Sequence, residues 1–425
     1  MNKKDIINIA VLGFAIFSML FGAGNVVFPP YLGFLARESW FIALIAFFMA
    51  DVGLGILGFF AINNCSSPEN ITNQIGKFYG TFLMATVMLC MGPLVVFPRT
   101  AATTFEMSIV PLFPNPSKIL FSFIFCFLSF ILCIKQSKVV DIVGKYLTPI
   151  LLLGLTLLII EGIINPALTK NLPSINNIVE TAIKTGYQTL DVAGVLVFGA
   201  IISLGIKNKG YSDSKKASKI LIYSSLLSAL LLFLAYGGLC YLGAYASEDI
   251  ISSISRADLL TTILQNLMGK PGLILFAVIV FMACITTAIA VLSSTAKYFS
   301  ELTKGKISYK TFCAIISIYG AISANKGLET IVAFAGPILD FLYPPLLVLI
   351  FIAAIYPKLN KTAVYGSTIA ATTISILNII NQYIYPIKFV NTLPMHNIGL
   401  DWIIPTVTVT IICILVTHKK EEVAK

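Results

Sequence analysis

The sequence predicts an all-α membrane protein of twelve transmembrane helices, and three observations carry that expectation. Its 425 residues are 57% hydrophobic and only 11% charged, with a mean hydropathy of +0.92, more apolar surface than a water-facing domain can hide. The apolar residues gather into segments of about 20, the length a helix needs to cross the hydrocarbon core. Turn-forming residues interrupt the first segment, at Phe21-Gly22-Ala23-Gly24-Asn25-Val26-Val27-Phe28-Pro29-Pro30.

In chain order, the first span, Ile6 to Phe34, follows Lys3 and Lys4 but is too long for a signal peptide and lacks a convincing cleavage site, so it is expected to be retained. Trp40 to Ile62 is the second span and holds Asp51, and Gly80 to Ile109 is the third, with Arg99 and Glu106. Ile119 to Ile134 and Val139 to Ile164 follow, then Thr189 to Ile206, where Asp191 lies just before an expected break. Ile220 to Leu242, Gly272 to Phe299, the short Thr311 to Ala324 and Leu328 to Tyr356 are spans seven to ten. Ala363 to Ile384 and Trp402 to Val416 complete the set, giving one transmembrane domain over residues 1–425 with no soluble module.

Charge orients the bundle, because Lys and Arg in short loops accumulate on the cytoplasmic side. With the start of the chain placed inside, twenty of the 29 Lys and Arg fall in inside segments, eight outside, and Arg99 within a span. Both termini are therefore expected in the cytoplasm. The net charge of +10 reads as membrane orientation rather than nucleic-acid binding, which would need a soluble basic face. The eight cysteines lie mostly in apolar spans without C-x-x-C spacing, so packing is their expected role.

Two short runs recur five spans apart. Phe21-Gly22-Ala23 returns as Phe198-Gly199-Ala200, and Thr148-Pro149-Ile150-Leu151 is echoed by Gly336-Pro337-Ile338-Leu339. Equal spacing is what a five-plus-five duplication of reversed topology produces, with helices 1 and 6 broken and the site at the seam. Repeat one would cover about 6–164, repeat two about 189–356, and two extra helices about 363–416.

Hydrocarbon tolerates unpaired backbone only where protein or a watery cavity surrounds it, so a helix opened at mid-depth is opened for a ligand, as in a transporter. A half-helix starting near Val26 would aim free N–H groups at a carboxylate, while carbonyls near Leu20 and Phe21 suit an ammonium or a metal cation. Together they fit an amino-acid zwitterion. Gly22 and Gly24 allow close approach, Asn25 offers an oxygen, and Pro29 or Pro30 fits a helix start; the competing reading is small-residue helix packing. In span eight, Ala283-Cys284-Ile285-Thr286-Thr287, with Ser293, Ser294 and Thr295 beyond, makes an oxygen cluster suited to sodium. Alternatively these threonines bond their own i−4 carbonyls.

Intramembrane charge is costly and needs a partner or a role. Arg99 and Glu106 sit about 10 Å apart along one helix, too far to pair, so Arg99 is expected to meet Asp51 or Asp340. Structural pairing stands beside a gating or coupling role for Asp51, Arg99, Glu106 and Asp191, with helix capping a further option for Asp191. Asp141 and Lys145 read as a salt bridge. Phe105, Tyr187, Val197, Phe198 and Phe334 are candidates to line an apolar pocket, which separates one methylene by only about 1–3 kcal/mol.

The run Phe21 to Pro30, Gly92-Pro93 through Pro98-Arg99-Thr100 to Glu106, Asp141 to Pro149, Gly186-Tyr187-Gln188-Thr189-Leu190-Asp191 through Phe198-Gly199, and Ala283 to Thr287 resemble the branched-chain amino acid:cation symporters, the BrnQ-like family. The resemblance covers nearly the whole chain. It implies a leucine-transporter-like fold and sodium-coupled uptake of leucine, isoleucine or valine across a bacterial cytoplasmic membrane, with methionine a possible competitor. By the match of Gly22-Ala23-Gly24-Asn25 to the Gly-x-Gly-Asn break of that fold, the carbonyls of Ser18, Phe21 and Ala283 and the hydroxyls of Thr286 and Thr287 would hold sodium. Gly22, Ala23, Gly24, Asn25, Val26, Tyr187, Phe198 and Gly199 would meet the substrate. Leu190 departs from the methionine expected in the family's run.

Other classes fit less well. An enzyme would need a nucleophile, base or metal set, and the only histidines are His396 and His418. A channel would want a continuous polar pore. A proton-driven or exchanging carrier using Asp51, Glu106 and Asp191 is the serious rival. The expected partners are a small amino acid, sodium as co-transported ion and the lipid bilayer, with no organic cofactor and no nucleic acid. Oligomeric state is left open.

Overall fold

A computed structural model describes residues 2–134, 142–165, 175–211, 214–246 and 255–423. Helix α1 (Lys3–Leu20) starts from a capping box in which Asn2 and Asp5 each accept the other's backbone N–H. It stops because Phe21 (ψ 79°) and Gly22 (φ −112°, ψ −157°) leave the helical region, and α2 (Ala23–Ala36) resumes at once. α3 (Trp40–Phe48) and α4 (Leu54–Cys65) run together through a wide turn, Met49–Gly53, that carries Asp51. The short α5 (Pro68–Thr72) precedes α6 (Lys77–Leu89), which kinks into α7 (Val96–Thr104) where Gly92 is non-helical and Pro93 has no N–H to give.

α8 (Lys118–Cys133) and α9 (Thr148–Ile164) precede a second interruption. There α10 (Ile178–Thr189) and α11 (Asp191–Asn208) are separated by Leu190 alone, at φ 71°. α12 (Ser214–Ala244) and α13 (Arg256–Leu302), bent at Gly269, are the longest elements. α14 (Tyr309–Ala324), α15 (Leu328–Ile355), α16 (Lys361–Tyr383), the one-turn α17 (Lys388–Asn391) and α18 (Ile403–Val423) complete the order. Every apolar segment marked off in the sequence thus falls on helix, apart from the part of span five before Ile142, which lies outside the described residues together with Asp141.

The surface is that of a bilayer protein. α8 buries Ser122 and Ser129 while exposing Phe123, Phe127 and Ile131, the reverse of a helix facing water. Among the described residues, eight helical runs are long and apolar enough to cross a membrane, and three shorter apolar helices join them; the chain is a multi-pass integral membrane protein. All eight cysteines are free thiols.

At the centre, α1 and α2 pack lengthwise on α12, with α13 also against both. Backbones come very close there: a Cβ built on Gly243 would stand 1.8 Å from the Pro30 carbonyl oxygen, and one on Gly33 would stand 1.9 Å from that of Cys240. Small residues permit this approach, and close packing is what holds helices together in lipid. Gly243→Ala is therefore expected to cost about 1–3 kcal/mol through overpacking, read as a lower thermal midpoint of the purified protein in detergent; an unchanged midpoint would contradict the close crossing.

Candidate functional site

The interruption after Leu20 redirects backbone groups. The Gly22 N–H turns to the Leu20 carbonyl at 2.8 Å and to Asn25 Oδ1 at 3.3 Å, so the Ser18 carbonyl loses its ordinary helical donor. Span-eight hydroxyls take its place. Thr286 Oγ1 lies 3.0 Å from the Ser18 carbonyl, and Thr287 Oγ1 lies 3.1 Å from that of Met19 and 3.4 Å from that of Ser18. Thr286 Oγ1 also stands 2.9 Å from both the Met282 and Ala283 carbonyls, so the self-bonding reading of this threonine holds at the same time. One hydroxyl proton serves one of these three oxygens at a time. The rest is a surplus of lone pairs, and Ser18 Oγ lies buried there without a hydrogen-bond partner.

Four of the five residues expected around a cation, Ser18, Ala283, Thr286 and Thr287, therefore meet. No threonine hydroxyl bonds the Phe21 carbonyl, and the Phe21 ring stacks between Phe17 and Tyr236. Met19, which the sequence reading passed over, supplies the further carbonyl. Gly22 is required here, since a Cβ on it would meet Thr287 Oγ1 at 2.7 Å. Among the described residues no group of three or more His, Cys, Asp or Glu could hold a metal ion.

α2 begins at Ala23, three residues before the expected Val26. Its first turn presents free amides, and Arg99 lies against it: a Cβ on Gly24 would be 3.1 Å from the guanidinium Nη2. Helix N-terminus and guanidinium bring two positive groups together at a slot that Arg256 and Glu329 also line. The slot beside Ala23, Gly24 and Arg99 is a cavity of only about 10 Å³, room for about one water. Val26 is fully buried just behind it.

The second interruption falls at Leu190, not at Phe198-Gly199. Those two residues lie inside unbroken α11, and a Cβ on Gly199 would strike Ile62; nothing in that run forces the backbone open. At Leu190 the reason is visible. Arg99 donates from Nη1 to the Gln188 carbonyl at 2.9 Å and from Nη2 to the Thr189 carbonyl at 3.0 Å, satisfying the end of α10. The expected carboxylate partner is thus replaced by backbone carbonyls. Asp51 Oδ1 instead accepts from Thr189 Oγ1 at 2.7 Å, and Asp340 lines a separate cavity.

Asn25 joins the two interruptions. Its Nδ2 donates to Asp191 Oδ2 at 2.7 Å and to the Tyr236 hydroxyl, while its Oδ1 accepts from Gly22. Asp51, Asp191, Asn25, Tyr236, Thr189 and Arg99 are all at most 5% exposed, and Asp51 Oδ2 has no partner. Tyr236 on α12 was invisible to sequence reasoning, because an isolated tyrosine in an apolar run carries no signal. Glu106 stands apart, accepting from the Leu328 N–H at 3.1 Å and pairing with Lys118 at 3.4 Å, which makes it a cap for α15. Of the proposed lining residues, Tyr187 faces a cavity, Phe105 packs on Phe121, Val197 and Phe198 are core, and Phe334 is 54% exposed on the bundle surface.

A third cluster closes the far end of α1. Asp5 accepts from the Tyr211 hydroxyl at 2.8 Å and pairs with Lys216 at 3.3 Å, and Asn8 also reaches Tyr211. The Asn2 backbone N–H first, then the Tyr211 hydroxyl and Lys216, hold the Asp5 carboxyl below its ordinary value against the opposing effect of burial. A carboxyl depressed in the folded state contributes stability above its unfolded pKa of about 3.9 and loses it as pH falls through the folded value. Asp5→Asn is thus expected to lower the thermal midpoint by a constant amount above about pH 5, with the gap to the parent closing in acid; a gap independent of pH would sink this assignment.

Interrupted helices that bring buried polar groups together inside an apolar-faced bundle point to a class: a membrane transporter. Solved structures agree on the fold. The chain superposes on Mhp1, a nucleobase-cation-symport-1 family transporter, with a TM-score of 0.62 at 14% identity, covering 97% of this chain and 93% of that one. A Na⁺-coupled sialic acid symporter matches with a TM-score of 0.63 at 12% identity, covering 96% and 89%. The chain belongs to the branched-chain amino acid transport protein family, whose model matches residues 3–420. It is 32% identical over 415 residues to the branched-chain amino acid permease BrnQ of Bacillus subtilis (94% of each chain), and 32% identical over 429 residues to BraB of the same organism (96% and 95%). The family is one of transporters, and the chain is not an enzyme.

Proposed function

We propose that this protein is a sodium-coupled importer of branched-chain amino acids, working by alternating access in a bacterial cytoplasmic membrane with both termini inside. The carrying observation is Thr286 Oγ1 set within 3.0 Å of three carbonyl oxygens with one proton to share. A sodium ion among Ser18, Met19, Ala283, Thr286 and Thr287 would neutralise that surplus and bind α1 to α13. The zwitterion's carboxylate would sit at the amides of Ala23, Gly24 and Asn25 with Arg99, its ammonium at the carbonyls of the first break and Asp191. Apolar neighbours such as Val26 and Tyr187 would take the side chain. Relatives named as branched-chain permeases support the substrate class.

We count twelve crossings: α1 with α2, α3 with α4, α6 with α7, α8, α9, α10 with α11, α12, α13, α14, α15, α16 and α18. Broken helices 1 and 6 belong to a five-plus-five inverted repeat, α16 and α18 are additions, and residues 1–425 form one transporter domain. A second reading, proton coupling, is favoured by Asp51, whose buried Oδ2 has no partner beside Asp191.

Leucine uptake into proteoliposomes, with sodium and pH gradients imposed separately, distinguishes the two: a sodium gradient alone should drive accumulation, and uptake on a proton gradient without sodium would favour the rival. Thr287→Ala should raise the half-saturating sodium concentration about tenfold, the effect of losing one bond to a charged partner, with protein level unchanged. Arg99→Lys loses the two-pronged hold on Gln188 and Thr189 and should raise the leucine KM by about tenfold; an unchanged KM would remove Arg99 from the carboxylate slot.

A further inference from the structure

The chain that joins α16 to α18, residues 384–402, reaches back across the bundle to α10. Connecting segments are ordinarily the more mobile parts of a structure, but this one is fixed twice to α16. Asn381 Oδ1 accepts from the Ile387 N–H at 2.6 Å, and its Nδ2 donates to Asn391 Oδ1 at 2.8 Å. Three residues earlier, on the same face of α16, Asn378 Nδ2 donates at 3.0 Å to Asp401, which also meets His396 Nδ1 at 2.7 Å. Asp401 is 1% exposed, and a carboxylate buried so deeply is costly unless its bonds are made.

Between these two anchors the turn His396–Ile398 lies against α10. Gly399 covers the stem of Lys184, whose ammonium is taken by Glu180 at 2.7 Å: a Cβ on Gly399 would stand 3.5 Å from Lys184 Cε. Left-handed backbone brackets the turn, at Met395 (φ 66°) and Gly399 (φ 72°). Methionine adopts it only under constraint, and backbone held off its preferred regions collects in segments that switch. α10 packs on α2 and α3 as well, but its last turn, at Tyr187 and Gln188, faces a cavity of about 480 Å³ that His396 and Asp401 also bound. That turn has room to move, and the contact at Lys184 restrains the helix that carries it.

We propose that residues 393–402 are a strap that holds α10 in place while the slot at Gly24 is closed, with Asp401, His396 and Asn378 as its clasp, and that the clasp opens when α10 moves. The strap gives α16 and α18 a task in the transport cycle. It rests on the alternating-access reading and adds to it the element that sets how readily α10 leaves its closed position.

Hydrogen–deuterium exchange of the purified full chain, read by mass spectrometry without any solute, tests the strap. In Asp401→Asn and in His396→Leu the amides of 178–189 should exchange at least about fivefold faster than in the parent, with α12 unchanged. The leucine KM of uptake should fall about threefold, as more molecules stand open. A covalent clasp tests the opposite direction: Lys184→Cys with Asn397→Cys, joined by a bifunctional methanethiosulfonate, should lose uptake and regain it on reduction. Unchanged exchange of α10 in both variants, or uptake that survives the cross-link, overturns the strap. Exchange raised equally in α12 marks general unfolding, and the cross-link result then decides. No leucine uptake by the parent overturns the transport reading instead, while the exchange comparison still decides the strap.

Discussion

A backbone carbonyl or amide released inside a membrane must find a partner within the protein, and the architecture around α1, α2, α10 and α11 follows from that requirement. Two interruptions release two sets of carbonyls, and the fold answers them with different chemistry. Neutral hydroxyls from α13 serve the Ser18 and Met19 carbonyls, while a guanidinium from α7 serves Gln188 and Thr189. The first set keeps an excess of lone pairs, which on the proposed reading a cation would meet. The second is already neutralised by a resident positive charge, which leaves nothing for a mobile ion to do there.

The same economy explains why so many polar residues converge on one buried spot. Arg99 is expensive in hydrocarbon unless its donors are used, and bonding to carbonyls rather than to a carboxylate leaves its charge only partly answered. Asp191, first residue of α11, lies near it and also takes the Asn25 amide. Asn25 in turn restrains Gly22, so a single side chain spans both interruptions. Displacement of α2 relative to α11 must break that bridge, which makes Asn25 a structural link between the two halves as well as a neighbour of the solute slot.

Much of this was legible in the chain. Period and length marked the apolar segments because a bilayer imposes one scale on every helix, and the first break was readable because glycine, asparagine and proline all act locally. The second break was expected just after Asp191 and falls just before it, at Leu190, while the recurrence of Phe21-Gly22 at Phe198-Gly199 says nothing about which residues lose their helical bonds. Leu190, an ordinary helix former, sits at φ 71° only because Arg99, distant in sequence, satisfies the carbonyls before it. Long-range satisfaction of that kind has no local signature. For the same reason Met19, Tyr236 and the link between Thr189 and Asp51 escaped the reading, whereas Thr286 and Thr287, adjacent hydroxyls on one helix, did not.

The closed slot then constrains how a solute arrives. On the proposed reading, the cavity of about 10 Å³ beside Gly24 and Arg99 is too small for an amino acid, so entry would require one wall to retreat. α2 is wedged by backbone-to-backbone contact on α12, and α13 is tied to α1 through its threonines. The last turn of α10 is held by side-chain bonds, through Arg99, through Thr189 on Asp51 and through Tyr187 on Tyr343, and by the close approach of Gly186 to the Phe47 carbonyl, which a Cβ there would meet at 3.1 Å. Side-chain bonds exchange with solute groups, and close-packed backbones do not. On the proposed reading, the Arg99 and Thr189 bonds at the end of α10 are therefore the ones that an arriving carboxylate and ammonium would exchange.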